Sequence, residues 1–208
     1  CIRDSLNYER SFGSHNVSGM LLYNQDDYNT NVNSSLIASL PKRKMGVAAR
    51  LSYDYDHRYM LEVNAGYNGS ESFAKGHRWG LFPSISLGWN IRGSYGLVGN
   101  DQIGSDRFAY LAIVNLTESP SYTTGYGGST TSLSGPTYNR FQNNELTWEV
   151  GNKLNVGVDL QLFNSLNITV DGFREIRDNI FQQKNSIPNY LGTASTKIYG
   201  NFAKVKNT

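Results

Sequence analysis

The chain has 208 residues, a formal net charge of +2 and an aromatic content of 12% led by 14 Tyr. So small a net charge offers no electrostatic footprint for nucleic acid, and no apolar run approaches the roughly 18 residues of a membrane-spanning helix. A mean hydropathy of −0.47 leaves another kind of membrane protein open, because a barrel strand shows only half its residues to lipid.

Alternation of apolar and polar residues predicts nine strands, at roughly 2–10, 16–25, 45–55, 59–68, 80–90, 91–98, 145–162, 166–177 and 198–206. In 45–55 one set of alternate positions is Val47, Ala49, Leu51, Tyr53 and Tyr55; the other is Gly46, Ala48, Arg50, Ser52 and Asp54. In 59–68, Tyr59, Leu61, Val63, Ala65 and Tyr67 oppose Met60, Glu62, Asn64, Gly66 and Asn68. The odd positions of 81–97 are uncharged, with Arg92 among the even ones. In 148–162, Trp148, Val150, Asn152, Leu154, Val156, Val158, Leu160 and Leu162 share a face, while Glu149, Gly151, Lys153, Asn155, Gly157, Asp159 and Gln161 share the other. Across these four stretches every charged side chain falls on one face.

Strand side chains alternate with period two, so these are two-faced ribbons. The polar face is built of Gly, Ser, Asn and mixed-sign charges, where the solvent face of a soluble sandwich carries abundant Lys and Glu. Apolar-out, polar-in alternation with aromatic ends is the pattern of a transmembrane barrel strand. A Lys or Arg facing mid-bilayer costs about 2–4 kcal/mol, whereas one facing the lumen stays hydrated. The expected fold is therefore all-β, an antiparallel transmembrane β-barrel represented by about nine strands. A soluble β-sandwich that buries the apolar face in a closed core is the competing fold.

Connections are expected to alternate. Short turns fall at 11–15, 56–58 and 163–165; long loops fall at 26–44, 69–79, 99–144 and 178–197. The junction at Asn90 and Ile91 has no turn signal, so periodicity alone allows one long strand over 80–98 or two strands. Pro83 lacks a ladder donor and argues against a central strand at that spot. An open sheet edge in lipid leaves backbone groups unpaired, so closure by further strands is expected and the chain reads as a piece of a larger barrel.

No catalytic constellation is present in the pattern. His15, His57 and His77 lack metal-ligand spacing, Cys1 is a lone cysteine, and no cofactor or metal is expected. Gly125, Tyr126, Gly127 and Gly128 lack the strand–loop–helix frame of a phosphate cradle. Two groups remain as candidate site residues. On the lumen face are Arg50, Glu62, Asn64, Asn68, Arg92, Glu149, Lys153 and Asp159, which suit a hydrated cavity, a plug or a ligand. In the loops are Trp79, Tyr122, Tyr126 and Tyr138, whose rings suit stacking on sugars or apolar groups; Trp79 equally suits anchoring at the headgroup level.

Several stretches resemble the SusC/RagA-type TonB-dependent outer-membrane transporters. The clearest runs through Ser52-Tyr53-Asp54-Tyr55-Asp56-His57-Arg58-Tyr59, Phe73-Ala74-Lys75-Gly76-His77-Arg78-Trp79-Gly80 and Phe82-Pro83-Ser84-Ile85-Ser86-Leu87-Gly88-Trp89. Others are Leu146-Thr147-Trp148-Glu149-Val150-Gly151-Asn152-Lys153 and Phe173-Arg174-Glu175-Ile176-Arg177-Asp178-Asn179-Ile180. The resemblance implies a barrel of about 22 strands around a plug, of which 1–208 would be one part without plug or closing strand. It favours two strands over 80–98, with residues deleted near 90–91. It further implies import of an oligosaccharide or peptide across the outer membrane of a Gram-negative bacterium. A SusD-like surface lipoprotein and TonB would be the partners, TonB acting through an N-terminal region outside this sequence. A passive porin or adhesin barrel and a soluble carbohydrate-binding β-protein are the alternatives.

Overall fold

A computed structural model describes residues 1–29, 39–89, 91–104, 108–116, 121–162, 166–186 and 196–208. The predicted turn at 163–165, together with Asn90, lies outside the described residues. Among the described residues thirteen strands form in chain order: β1 (Ile2–Phe12), β2 (His15–Tyr28), β3 (Lys42–Tyr55), β4 (Tyr59–Ser70), β5 (Trp79–Gly88), β6 (Ile91–Asn100), β7 (Ile113–Asn115), β8 (Ser121–Tyr126), β9 (Ser129–Ser134), β10 (Thr137–Arg140), β11 (Glu149–Leu162), β12 (Leu166–Gln183) and β13 (Tyr199–Asn207). Nine of them pair as one antiparallel meander in the order β1-β2-β3-β4-β5-β6-β11-β12-β13. The strands predicted from periodicity correspond one for one to these nine. Two further pairs, β7 with β10 and β8 with β9, stand apart in the segment expected to be a loop.

Register carries the two faces across the whole sheet. Leu51 opposes Val63, Val63 opposes Ile85, Ile85 opposes Tyr95, and Tyr95 opposes Leu154. A slip of one residue would send every such side chain to the other face, so this unbroken apolar line fixes the pairing. Glu9 of β1 and Phe173 of β12 line the same hollow of about 730 Å³ with Asn16, Glu62 and Arg92, so the sheet curls with the polar face concave. The apolar set faces outward and is exposed: Leu51 57%, Val63 41%, Val156 47% and Leu160 48%. The competing soluble fold required these four to lie in a closed core; they do not.

Between Trp79 and Asn100 the chain forms two strands, closed by a tight reversal in which Trp89 N–H donates to the Ile91 carbonyl at 3.0 Å. Contrary to the expectation from its missing N–H, Pro83 sits inside β5, an interior strand, opposite Ala65 of β4. β5 pairs with β6 only from Ser84↔Gly96 to Gly88↔Arg92, so the ladder stops at the residue after Pro83, which has no N–H to donate. Toward the loop end the neighbouring space is filled by side chains instead.

The chief buried cluster sits there, inside the loop end of the sheet: Phe73, Ile103, Ala109, Leu146, Trp148 and Tyr199, with Phe82 and Phe181 packed against it. Alternation had put Trp148 on the outward face with Val150. The strand begins only at Glu149, and Trp148 turns inward, 5.5 Å from Phe73 and 5.3 Å from Phe82 between ring centroids. Phe82 lies over Gly80 and Gly99, where a Cβ on either glycine would run into its ring.

Candidate functional site

The inward wall is organised by register into three charge clusters. Near the middle, Arg50 Nε donates to Asn64 Oδ1 at 3.0 Å, Asn64 Nδ2 donates to Glu62 Oε1 at 2.7 Å, and Ser52 Oγ donates to Glu62 Oε2 at 3.4 Å. The pairs Arg50↔Asn64 and Ser52↔Glu62 are directly opposite across β3 and β4, which is why three hydrogen bonds close this set.

The second cluster joins β6, β11 and β12. Arg92 lies 2.8 Å from Asp159 and 3.2 Å from Asp171, and Thr169 donates to Asp159 at 3.0 Å. One guanidinium faces two carboxylates, so this part of the wall is acidic. The third cluster is nearer the loops. Arg177 lies 2.9 Å from Glu175 and 3.7 Å from Glu149, Lys153 lies 3.7 Å from Glu175, and Asn100 donates to Glu149 at 3.1 Å. The cations of these clusters are about half-exposed while Glu149 and Glu175 are more covered, so the pairs are screened by water and each contributes little stability.

Of the eight lumen residues expected from sequence, Arg50, Glu62 and Asn64 meet in the first cluster, Arg92 and Asp159 in the second, and Glu149 and Lys153 in the third. Asn68 faces inward apart from them, its amide oxygen lying over Gly46, where a Cβ would run into it. The sequence reading passed over Asp171, Glu175 and Arg177. They occupy alternate positions of β12 together with Thr169 and Phe173, and the period-two rule applied to that strand would have found them.

The four loop aromatics do not converge. Trp79 opens β5 on the outward face and stacks on Tyr67 at 4.8 Å, away from the hollow. A second outward row of rings, His15, Tyr55, Tyr59 and Trp89, follows the short-turn end with centroids 4.8 to 6.3 Å apart. The outward face therefore carries a row of rings at the short-turn end of its apolar band and the stacked pair Tyr67–Trp79 at the loop end. Tyr122 and Tyr126 project from the β8–β9 hairpin, 71% and 96% exposed, while Tyr138 in β10 stacks on Phe141 at 5.0 Å.

The segment between β6 and β11 is tied down at its roots. Buried Arg140 donates to the carbonyls of Leu111 (3.2 Å) and Phe108 (3.0 Å). Trp148 Nε1 donates to the Arg78 carbonyl at 3.0 Å, and the Asn201 amide bridges to Thr147 in both directions at 3.0 Å. Asp101, just after β6, accepts from Lys44 Nζ and Ser70 Oγ, both at 2.6 Å. Burial pushes the Asp101 carboxyl up, but the two donors and the Lys44 charge outweigh it and hold its pKa below the ordinary carboxylate value. Among the described residues no group of three or more His, Cys, Asp or Glu could hold a metal ion.

Comparison with known proteins places this geometry. A family model described as TonB dependent receptor-like, beta-barrel matches residues 3–208. A TonB-dependent receptor of Formosa agariphila is 28% identical over 203 residues, covering 89% of this chain and 17% of its own length. The TonB-dependent receptor SusC of Bacteroides thetaiotaomicron is 29% identical over 191 residues, covering 82% and 18%. The chain thus spans under a fifth of the length of these relatives. Among solved structures, the RagAB peptide importer in its closed-closed state aligns with a TM-score of 0.72 at 18% identity, over 98% of this chain and 26% of that one. The siderophore receptor PirA of Pseudomonas aeruginosa aligns with a TM-score of 0.58 at 14% identity, over 98% and 37%.

Proposed function

Because the chain belongs to the TonB dependent receptor-like β-barrel family, we propose that residues 1–208 build part of the wall of an outer-membrane nutrient importer in a Gram-negative bacterium. The cargo is an oligosaccharide or a peptide. A SusD-like surface lipoprotein covers the loop end, and TonB drives transport through a plug supplied by the rest of the full-length protein. The barrel makes and breaks no bond in the cargo. The short β5–β6 reversal is read as a deletion relative to the family.

In this role Arg50, Glu62, Asn64, Arg92, Glu149, Lys153 and Asp159, joined by Asp171, Glu175 and Arg177, hold hydrated contacts to the plug or to passing cargo. Tyr122 and Tyr126 meet the cargo or the lipoprotein, and Trp79 anchors the wall at the headgroup level. One observation carries the reading: a curled antiparallel sheet whose concave face holds paired charges and whose convex face is apolar between a row of rings at the short-turn end and the Tyr67–Trp79 pair at the loop end.

The test is uptake of labelled oligosaccharides and labelled peptides by cells expressing the full-length gene. Saturable uptake of one class, lost when TonB is deleted, is the expected result. Uptake that persists without TonB would make the protein a passive porin.

A further inference from the structure

The chief buried cluster of the sheet is made largely by a loop. Along the middle of the inner wall water screens the charged clusters. At the loop end, residues of the β6–β11 connection seal against that wall instead. Ile103, Ala109, Leu146 and Trp148 come from the connection; Phe73 of the β4–β5 loop and Tyr199 of β13 are what they cover. Phe73, Ala109 and Leu146 are fully buried. No buried side-chain nitrogen or oxygen among the described residues lacks a hydrogen-bond partner.

Polar ties carry this seal across the sheet. Asp101 accepts from Lys44 Nζ of β3 and from Ser70 Oγ of β4, both at 2.6 Å. Asn143 Nδ2 donates to the Tyr199 carbonyl of β13 at 2.8 Å, and Phe141 N–H donates to the Lys197 carbonyl at 3.1 Å. β3 and β13 are not neighbours, because β4, β5, β6, β11 and β12 lie between them in the sheet. One connection therefore links strands that share no ladder. Loops that open and close are drawn from parts of a fold with few buried apolar contacts and many solvent-exposed hydrogen bonds. The root of this connection, residues 101–104, 108–111 and 140–148, carries the buried cluster and these ties, which is the opposite character. The β8–β9 hairpin beyond it leaves Tyr122, Tyr126 and Leu133 exposed.

We propose that this root is a fixed brace that stays against the inner wall throughout the transport cycle. The loop-end mouth is then permanently narrowed on this side, and cargo enters past the brace rather than through the space it fills. Any opening of the connection is left to the β8–β9 hairpin. The proposal rests on the import reading, and its test separates the two.

Ala109→Cys is placed in the full-length protein as the sole cysteine. Maleimide labelling is then followed in cells supplied with the labelled oligosaccharides and labelled peptides, with and without TonB, and Tyr126→Cys serves as the exposed reference. The thiol of Ala109→Cys is expected to stay unlabelled in both strains while that of Tyr126→Cys is labelled in both. Labelling of Ala109→Cys in either strain, with the heat-modifiable folded band intact, overturns the proposal. In a second variant Ser70→Cys is combined with Asp101→Cys, two short side chains that meet at 2.6 Å in the parent and suit a disulfide. After oxidation this variant is expected to show no loss of uptake; uptake lost on oxidation and restored by reductant overturns the proposal as well. Failure of the import reading would show separately, as a parent without TonB-dependent uptake, whose Ala109→Cys variant still reports whether the brace lifts.

Discussion

Val63 and Asn64 are adjacent in β4 and point to opposite sides, which makes them the sharpest probe of the two faces. Val63 lies midway between Tyr59 of the short-turn row and Tyr67 of the loop-end pair. Its outward lysine would sit near the bilayer midplane, where the cost is greatest, about 2–4 kcal/mol. At 1.4 kcal/mol per factor of ten, that shifts the folded-to-unfolded ratio by roughly 30- to 700-fold. Asn64 occupies the wall beside Glu62 and Arg50. Lysine there loses one amide contact, worth about 1 kcal/mol, and gains a hydrated carboxylate neighbour in Glu62. Both variants are made in the full-length protein and followed by urea titration of the heat-modifiable folded band after reconstitution. Val63→Lys should lower the folding midpoint or abolish assembly, and Asn64→Lys should stay within about 1 kcal/mol of the parent. Equal losses, or a larger loss at Asn64, would refute the assignment of faces.

Three further outcomes follow from the loop end. Trp148→Ala removes the ring wedged between Phe73 and Phe82; a loss of about 3–5 kcal/mol confined to this hub should expose 101–148 to limited proteolysis while the barrel band persists. Arg140→Lys cannot fork between the Leu111 and Phe108 carbonyls, so amide exchange at Leu111, whose N–H donates to Phe108, should accelerate. Asp101 has a lowered folded pKa, so its contribution is fully present above the unfolded carboxylate value of about 3.9 and fades as pH falls through the lower folded value. Acid-induced proteolytic sensitivity of the loop end should therefore set in below about pH 4 in the parent, and Asp101→Asn should show the sensitivity already at neutral pH.

The nine-stranded meander was legible because apolar and polar residues alternate along its strands, most cleanly where charge is excluded from one face, in 45–55, 59–68, 81–97 and 148–162. Leu51, Val63 and Leu154 identify the outward side from the sequence alone, and their cross-strand alignment only confirms it. What alternation lacks is register. Arg92 and Asp171 are far apart in the chain, and only the pairing of Gly157 with both places them together. The two small sheets went unseen because β8 and β9 are mostly Ser, Thr and Gly, with Tyr122, Tyr126 and Leu133 too sparse a set to mark an apolar side. Trp148 was assigned the wrong side because parity has meaning only within a strand, and this residue precedes one. The junction at 90–91 was ambiguous because its reversal is so short that alternation passes through it unbroken; Pro83 hinted at the true limit of that ladder.

The central claim is that hydrocarbon covers the convex face. Spin labels on single cysteines at Leu51, Val63 and Val156, and at Ser52, Asn64 and Asn155, would be measured in the full-length protein in bilayers with Cys1 replaced by serine. Power saturation with oxygen and with a water-soluble nickel chelate reports what touches each label. The account predicts oxygen-dominated relaxation at the first three sites and nickel access at the other three; nickel access at Leu51, Val63 and Val156, or protection of these sites from both reagents, would contradict it.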